Sequence, residues 1–260
     1  MIRQSMLLKS MFIAMVALGL AGSAFAQEAA TDAPAVDPKA MDALARMGKA
    51  LRAMGPFAVH ADSTAELVLE DGEKVEFGGA VDYQVVPPNK LHASLKSDRR
   101  EREYYFDGKT LTVYAPTSGF YATLPAPDTL RGLVDKAQGE YGLEMPLADL
   151  FLWGTDAAPT NDIKRATYVG PAFIDKTPVA HYAFREGDTD WQVWIDGEAM
   201  PRKLVITDTS TAERPEYTAL LDWMPGETVS NDAFAFKPSE DDFEIAFFPV
   251  GGAAAEEGKK

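Results

Sequence analysis

Near its middle the chain reads Tyr105-Phe-Asp-Gly-Lys-Thr-Leu-Thr-Val-Tyr114. The same pattern returns in Trp191-Gln-Val-Trp-Ile-Asp-Gly-Glu-Ala-Met-Pro-Arg-Lys-Leu-Val-Ile-Thr207. In each stretch an Asp-Gly pair separates two runs of β-branched and aromatic residues, which is a strong signal for a tight β-hairpin. Because the flanking residues alternate between large apolar and polar side chains, we expect an antiparallel sheet with one apolar and one polar face.

The first residues have the pattern of a secretory signal peptide. Arg3 and Lys9 precede an uncharged apolar run from Met11 to Leu20, and Ala24-Phe25-Ala26 offers a small-x-small cleavage site. A membrane-spanning helix is the weaker interpretation, because only about a dozen strongly apolar residues are available where roughly 20 are needed. We therefore expect a Sec-type signal peptide, cleaved after Ala26, and a mature protein that is periplasmic or secreted.

Charge and composition narrow the class of partner. The sequence has 260 residues, no cysteine and a formal net charge of −15. Removing residues 1–26, which carry two basic and no acidic residues, leaves 234 residues with a charge of −17. This acidic excess argues against nucleic acid as a partner and against adsorption to anionic lipid headgroups. Without cysteine, the chain can form neither a disulfide nor a lipid-modified cysteine.

The mature chain is long enough for one stable domain. Residues 27–37 are small, polar and proline-containing, and residues 249–260 are small and charged, so we expect a disordered leader and a disordered tail. Between them, residues 38–248 are expected to form a single domain. A domain of this size buries roughly 70 to 75% of its unfolded surface, so it can be stable without a disulfide or a metal.

Within the domain, the spacing of apolar residues changes from helical to alternating. A methionine-rich amphipathic helix from Pro38 to Gly55 precedes about six strands in a row, and strands resume from Ile163 to give about 11 in total. Gly78-Gly79 predicts a bulge or bend in the second strand. Two helices interrupt the strands. The second, Pro146 to Trp153, is so apolar that we expect it to plug a hollow or pack across the sheet.

No catalytic or metal-binding pattern stands out. The sequence has no Gly-x-Ser-x-Gly motif and no Gly-rich phosphate loop. His60, His92 and His181 lie on the polar side of predicted strands, without the close His or Cys neighbour that metal ligands usually have. The acidic cluster Glu240-Asp241-Asp242 is more simply solvated charge than a carboxylate pair for glycoside hydrolysis. We therefore expect a non-enzymatic protein with no catalytic residue, no metal and no cofactor.

The order of these elements is that of a known family. The most specific segments are Phe106-Asp-Gly-Lys-Thr110, Pro146-Leu-Ala-Asp149 and Trp191-Gln-Val-Trp-Ile-Asp196. Over residues 38–248 the sequence resembles a family of predicted periplasmic proteins of unknown function whose fold is similar to the LolA/LolB lipoprotein carriers.

This resemblance implies a strongly curved antiparallel half-barrel, with helices across its open concave face and an apolar cavity between them. LolA-like carriers hold acyl chains there, whereas the related domain of the RseB envelope-stress sensor uses the cavity for detection. Fold alone does not fix function. By strand phase, the residues expected to line the cavity are Phe57, Val59, Leu67, Phe77, Val81, Tyr83, Leu91, Leu95, Val113, Leu150, Trp153, Trp191, Val193 and Trp223. Ordinary core packing is an alternative for each of them.

Two hypotheses of function follow. The leading one is a periplasmic binding or carrier protein that shelters a lipid, a lipoprotein acyl chain or another apolar ligand, with an envelope protein as a further partner. It would not be an integral membrane protein. The alternative is an envelope sensor or protein-interaction module of the same fold, whose cavity is filled by its own helices. An interior packed solid, with no room for a short hydrocarbon, would contradict the carrier hypothesis.

Overall fold

A computed structural model describes residues 35–153, 155 and 160–250. The expected signal peptide, most of the leader and most of the tail lie outside the described residues. Within them, the strands are β1 (Phe57–Val68), β2 (Lys74–Val86), β3 (Lys90–Ser97), β4 (Glu101–Phe106), β5 (Thr110–Ala115), β6 (Phe120–Pro125), β7 (Ile163–Ile174), β8 (Thr177–Glu186), β9 (Thr189–Asp196), β10 (Pro201–Asp208), β11 (Glu216–Pro225) and β12 (Phe243–Glu244).

These strands form one curved, unclosed sheet in the order β12-β6-β5-β4-β3-β2-β1-β11-β10-β9-β8-β7. β1 to β6 make one antiparallel meander and β7 to β11 a second. The two meanders join where β1 pairs with β11, from Phe57 opposite Pro225 to Ala65 opposite Tyr217. The expected fold class is confirmed. The last strand, β12, pairs with β6 in parallel over two residues.

Both Asp-Gly pairs make the predicted hairpins. In the β4–β5 turn, Gly108 has a φ of +95°, and the Asp107 carboxylate accepts hydrogen bonds from the backbone N–H groups of Lys109 and Thr110 at 2.9 and 2.8 Å. In the longer β9–β10 turn, the Asp196 carboxylate accepts from the N–H of Met200 at 3.0 Å. An aspartate that closes its own turn in this way replaces backbone bonds that the turn leaves unmade.

The helices begin and end where their capping residues predict. α1 (Pro38–Ala53) starts at Asp37, whose side chain accepts from the N–H of Lys39 at 2.8 Å. α2 (Leu130–Tyr141) starts at Thr129 and ends at Gly142, which is left-handed with a φ of +62°. The predicted helix from Pro146 to Trp153 is shorter than expected, a 3₁₀ helix over Ala148–Leu152. None of the helices in the described residues has the length and hydropathy that a bilayer crossing requires.

α1, α2 and the 3₁₀ helix over Ala148–Leu152 lie on one side of the sheet, where a single apolar core runs across both meanders. A second 3₁₀ helix, Asn231–Phe234, lies against β3 and β4 on the other side. α1 contributes Ala43, Leu44, Met47 and Leu51, and α2 contributes Leu133, Val134 and Ala137. The sheet contributes side chains at matching register positions of neighbouring strands, so that each row is continuous. One such row is Trp223, Val59, Tyr83, Ala93, Tyr104, Val113 and Ala122. We call this side the concave face and the other the outer face.

The two edges of the sheet are irregular. β7 shifts register against β8 between Ile163 and Arg165 and again between Tyr168 and Gly170, and Pro171 follows. The residues before α1 cover the first part of this edge, since the N–H of Ala166 donates to Ala35 O at 3.0 Å. At the opposite edge the two-residue β12 pairs with Phe120 and Tyr121, and the rest of β6, residues 122–125, forms the margin.

Gly78-Gly79 does not form the predicted bulge, because both glycines keep regular register with β1, opposite Thr64 and Ser63. The need for glycine is steric at Gly79. A Cβ there would lie 2.9 Å from the backbone oxygen of Lys96 on β3, whereas a Cβ at Gly78 would have its nearest neighbour, Asp98 Oδ2, at 3.5 Å. Gly79 therefore permits the close approach of β3 to β2.

We predict that Gly79→Ala lowers the free energy of unfolding by about 1–3 kcal/mol, because the backbone of β3 must move to admit the methyl group. Gly78→Ala is the matched control. It should leave the free energy unchanged or raise it by up to about 1 kcal/mol, since it restricts the unfolded chain without a clash. Urea denaturation measures both, and equal effects of the two substitutions would contradict the steric explanation.

Candidate functional site

The structure brings most of the predicted cavity residues together in the concave core. Phe57, Val59, Val81, Tyr83, Leu91, Val113, Leu150, Trp191, Val193 and Trp223 are buried in it, and Leu95 and Trp153 pack against it partly exposed. Leu67 and Phe77 lie outside this cluster. They have the predicted strand phase, but they sit near the end of the β1–β2 hairpin, and Leu67 is 38% exposed. Whether any of these residues contacts a ligand stays a prediction.

The centre of the concave face is occupied by residues 143–153, which we call the plug. Its 3₁₀ helix places Phe151 against two sheet aromatics, with ring centroids 5.5 Å from Phe57 and 5.0 Å from Tyr83. Trp153 meets Trp191 edge-on at 5.1 Å. The plug thus contacts both meanders through aromatic rings, an arrangement that adds to the free energy of simple burial.

The plug is also tied to its surroundings by three polar contacts to its backbone. The Tyr83 hydroxyl donates to Pro146 O at 2.7 Å, and the Tyr104 hydroxyl donates to Glu144 O at 3.0 Å. At the far end, Arg52 Nη1 of α1 donates to Trp153 O at 2.8 Å. Each contact recognises a backbone oxygen, so the plug is positioned by its main chain as well as by its apolar side chains.

The plug carries local strain. Leu147, which precedes the 3₁₀ helix, has a φ of +66° and a ψ of 0°. A side chain with a Cβ costs roughly 1–2 kcal/mol in the left-handed region, and leucine lacks the short polar side chain that offsets this cost in Asn or Asp. Release of the plug would remove this strain.

On the concave side, the space beside the helices is narrow. A void bounded by Leu111 and Leu124 of the sheet and by Leu133 and Ala137 of α2 is too small for a water molecule. Phe151 and Trp153 are half-buried, so solvent reaches the plug between otherwise buried neighbours. Where the plug lies, the expected cavity is therefore filled by the chain itself. The plug is also accessible to solvent, unlike the buried residues around it.

A second concavity, of about 500 Å³, lies on the outer face. Its floor includes His92, Tyr105 and Tyr114, and its wall is the segment that carries Phe236 and Asp242. Phe236 packs among Tyr105, Tyr114 and Tyr121 with ring centroids about 5 Å apart. The Tyr114 hydroxyl donates to Asp242 at 2.8 Å. This groove is open, aromatic and polar, and it is separated from the plug by the thickness of the sheet.

All three histidines lie on the outer face, as predicted. Asp82, with its Oδ1 2.7 Å from Nδ1 of His60, raises the pKa of that imidazole chiefly by hydrogen bonding. Burial lowers the pKa values of His92 and His181. Within the described residues, no group of three His, Asp or Glu side chains is placed to hold a metal ion. The histidines therefore lie away from the apolar side of the molecule.

Of the residues that hold the plug, sequence reasoning named Phe57, Tyr83 and Trp191 but missed Arg52 and Tyr104. Strand alternation places Tyr104 on the inner face, so its position was predictable. Its hydrogen bond to Glu144 was not predictable, because it depends on the path of the plug. Phe151 was part of the apolar run but not a candidate, because a helical wheel does not apply to a short 3₁₀ helix.

Several solved structures are similar to this chain at low identity. The lipoprotein LppX from Mycobacterium tuberculosis is 12% identical, covers 75% of this chain and 100% of its own, and has a TM-score of 0.48. LprF from Mycobacterium bovis is 17% identical, with coverage of 75% and 97% and a TM-score of 0.41. A LolA superfamily protein from Nitrosomonas europaea is 10% identical, with coverage of 76% and 97% and a TM-score of 0.34.

A comparison with curated proteins found no match. The model of a protein family described as "Predicted periplasmic protein (DUF2092)" matches residues 40–248, which is most of the chain. The match confirms the family resemblance and the periplasmic location expected from the sequence. The chain belongs to this family of predicted periplasmic proteins.

Proposed function

We propose that this protein is a periplasmic binding or carrier protein for an apolar ligand, and that the ligand takes the place of the plug. The observation that carries this proposal is the plug itself: a short, strained segment at the centre of a continuous apolar face, held in part by bonds to its backbone. A segment with these properties fills the site when no ligand is bound and can leave without unfolding the sheet.

The burial free energies of the two occupants, the plug and an acyl chain, can be compared. At about 1.5–3 kcal/mol for each buried apolar side chain, residues 150–153 contribute roughly 6–12 kcal/mol, nearer the lower value because two are half-buried. An acyl chain of about 16 carbons contributes about 12 kcal/mol at about 0.8 kcal/mol per methylene. On these figures the acyl chain contributes more than the plug, so it would displace the plug, and release of the ligand would need a partner protein.

The contacts of the plug suggest how exchange would begin. Trp153 is half-buried, and its backbone oxygen is held by the exposed side chain of Arg52. A single bond to an exposed arginine adds little in water. We expect the plug to leave from this end first, which opens the space in front of Trp191 and Phe57. A partner protein that binds near α1 could promote the same movement.

The second candidate function is the interaction module with a self-filled cavity. The filled concave face favours this module, because an interior without room for a short hydrocarbon contradicts a carrier whose cavity is open at rest. The carrier proposal therefore requires the plug to move. The two functions differ in one property: a carrier exchanges its plug for a ligand, and a closed module does not.

The first prediction concerns bound lipid. Protein purified from the periplasm under native conditions should retain the mass of one co-purified lipid in native mass spectrometry, because a buried acyl chain dissociates slowly. The mass should disappear after delipidation and return on incubation with lipid vesicles. A protein that never shows added mass, whether freshly purified or incubated, would be the closed module instead.

The second prediction concerns the plug. Phe151→Ala removes its contacts with Phe57 and Tyr83 and should destabilise the closed plug by about 1–3 kcal/mol. Because apparent affinity scales with the fraction of open protein, binding of the apolar dye diphenylhexatriene should become roughly tenfold tighter. Fluorescence titration measures this change.

Phe236→Ala is the matched control. It removes an equally half-buried phenylalanine from the outer face and should leave dye affinity within about twofold, because it does not touch the plug. Circular dichroism should show that both variants are folded. If both substitutions tighten dye binding to the same extent, general loosening and not release of the plug is the cause.

A further inference from the structure

The groove on the outer face takes no part in the function proposed above. Its volume of about 500 Å³ lies in the range typical of small-molecule sites. Tyr105 and Tyr114 form part of its floor, and Phe236 forms part of its wall. The Phe236 ring makes angles of 53° and 41° with the two tyrosine rings. Because these rings are tilted and not stacked face to face, part of each ring face is open to the groove.

The tyrosine rings are joined to carboxylates. The Tyr114 hydroxyl donates to Asp242 at 2.8 Å, and the Tyr105 hydroxyl donates to Glu103. Hydrogen bonds from Ser239 and Tyr114 lower the pKa of Asp242, so this carboxyl group is ionised at neutral pH. A phenol that donates to a carboxylate is polarised by it, which makes the face of its ring a better partner for a cation.

Positive charge is scarce in the groove. Among the described residues that line it, Lys237 alone is a lysine or arginine, and its exposed ammonium group lies 3.5 Å from Asp232. Burial lowers the pKa of His92, so its imidazole is neutral at neutral pH. Nε2 of His92 is buried without a hydrogen-bond partner in the described part of the protein. A buried polar atom of this kind is expected to meet a ligand group or a water molecule.

We propose that the groove binds a small quaternary ammonium group, which a free solute such as choline or the headgroup of phosphatidylcholine could supply. The methyl groups of this cation pack on the faces of the three rings, and its charge is balanced by Glu103 and Asp242. A primary ammonium fits less well, because ring faces do not replace the hydrogen bonds that it makes with water. A quaternary ammonium has no such bonds to lose.

The test compares three small alcohols that differ in their terminal group. Choline carries the quaternary ammonium, ethanolamine carries a primary ammonium, and 3,3-dimethylbutan-1-ol is the uncharged isostere of choline. NMR titration of the purified protein gives the three dissociation constants. We expect choline to bind with a Kd on the order of 1 mM or lower, and at least about fivefold more tightly than either of the other two. Absence of choline binding, or equal binding of choline and its uncharged isostere, would overturn the proposal.

Two groove variants should move the affinity in opposite directions. Phe236→Leu removes one ring but keeps apolar bulk, and it should weaken choline binding at least about fivefold. Lys237→Gln removes a repelling cation and should tighten choline binding about twofold or more, a gain that loss of structure cannot produce. Phe173→Leu, on β7 at the other end of the sheet, is the control and should bind choline as the wild type does. Unchanged affinity in both groove variants would contradict the proposal.

Vesicle flotation distinguishes the two sources of the ammonium group. One set of vesicles contains phosphatidylcholine and phosphatidylglycerol, and the other contains phosphatidylethanolamine and the same fraction of phosphatidylglycerol. Protein that floats only with the first set, and no longer does so with Phe236→Leu, recognises the lipid headgroup. Protein that binds choline but floats with neither set binds a free solute, which equally supports a quaternary ammonium site. The plug lies on the other side of the sheet, so failure of this inference leaves the proposed function standing.

Discussion

The pairing of β1 with β11 is the constraint on which the other features depend. It joins two meanders that are each formed from neighbouring segments of chain, and it is closed on the concave side by Trp223, whose indole N–H donates to Pro201 O at 2.7 Å. Because of this pairing, one continuous apolar face spans both meanders. The plug needs that span, because Phe151 packs on Phe57 and Tyr83 of the first meander and Trp153 packs on Trp191 of the second.

A face this large must be covered, and the chain covers it with elements of unequal stability. α1 and α2 are regular capped helices with buried apolar stripes. The plug is a single 3₁₀ turn with a strained leucine before it and polar bonds at its backbone. Because local stability follows the number of buried contacts and the strain, the plug is the part of the cover that opens at least cost. The regular helices and the strained plug are thus separate segments of the cover.

Much of the fold could be predicted from the sequence because the signals were local. Asp107-Gly108 and Asp196-Gly197 specified hairpins, Asp37 and Pro38 specified the start of α1, and strand alternation placed Val59, Tyr83 and Val113 on the inner side. Strand alternation does not predict how far the helices and the plug extend along β1 and β2. Leu67 and Phe77 therefore have the predicted strand phase but lie outside the core. A bulge or bend was predicted at Gly78-Gly79. A glycine that permits the close approach of a neighbouring strand looks the same in the sequence, so the two cases could not be told apart. The tyrosine bonds to the plug connect residues that are distant in sequence, and no local pattern encodes them.

The margins of the sheet bear on how the protein behaves in a crowded compartment. An open sheet offers unpaired backbone groups at both ends, and such margins are templates for aggregation. Here β12 pairs with two residues of β6 at one end and leaves four residues of that strand as the edge. At the other end, the residues before α1 cover the first part of β7, and a register shift and Pro171, which has no N–H, interrupt the second part. Phe173, 70% exposed on that second part, is apolar surface on the short stretch of β7 that follows the register shift. Both margins thus offer only short runs of strand backbone for another chain to extend.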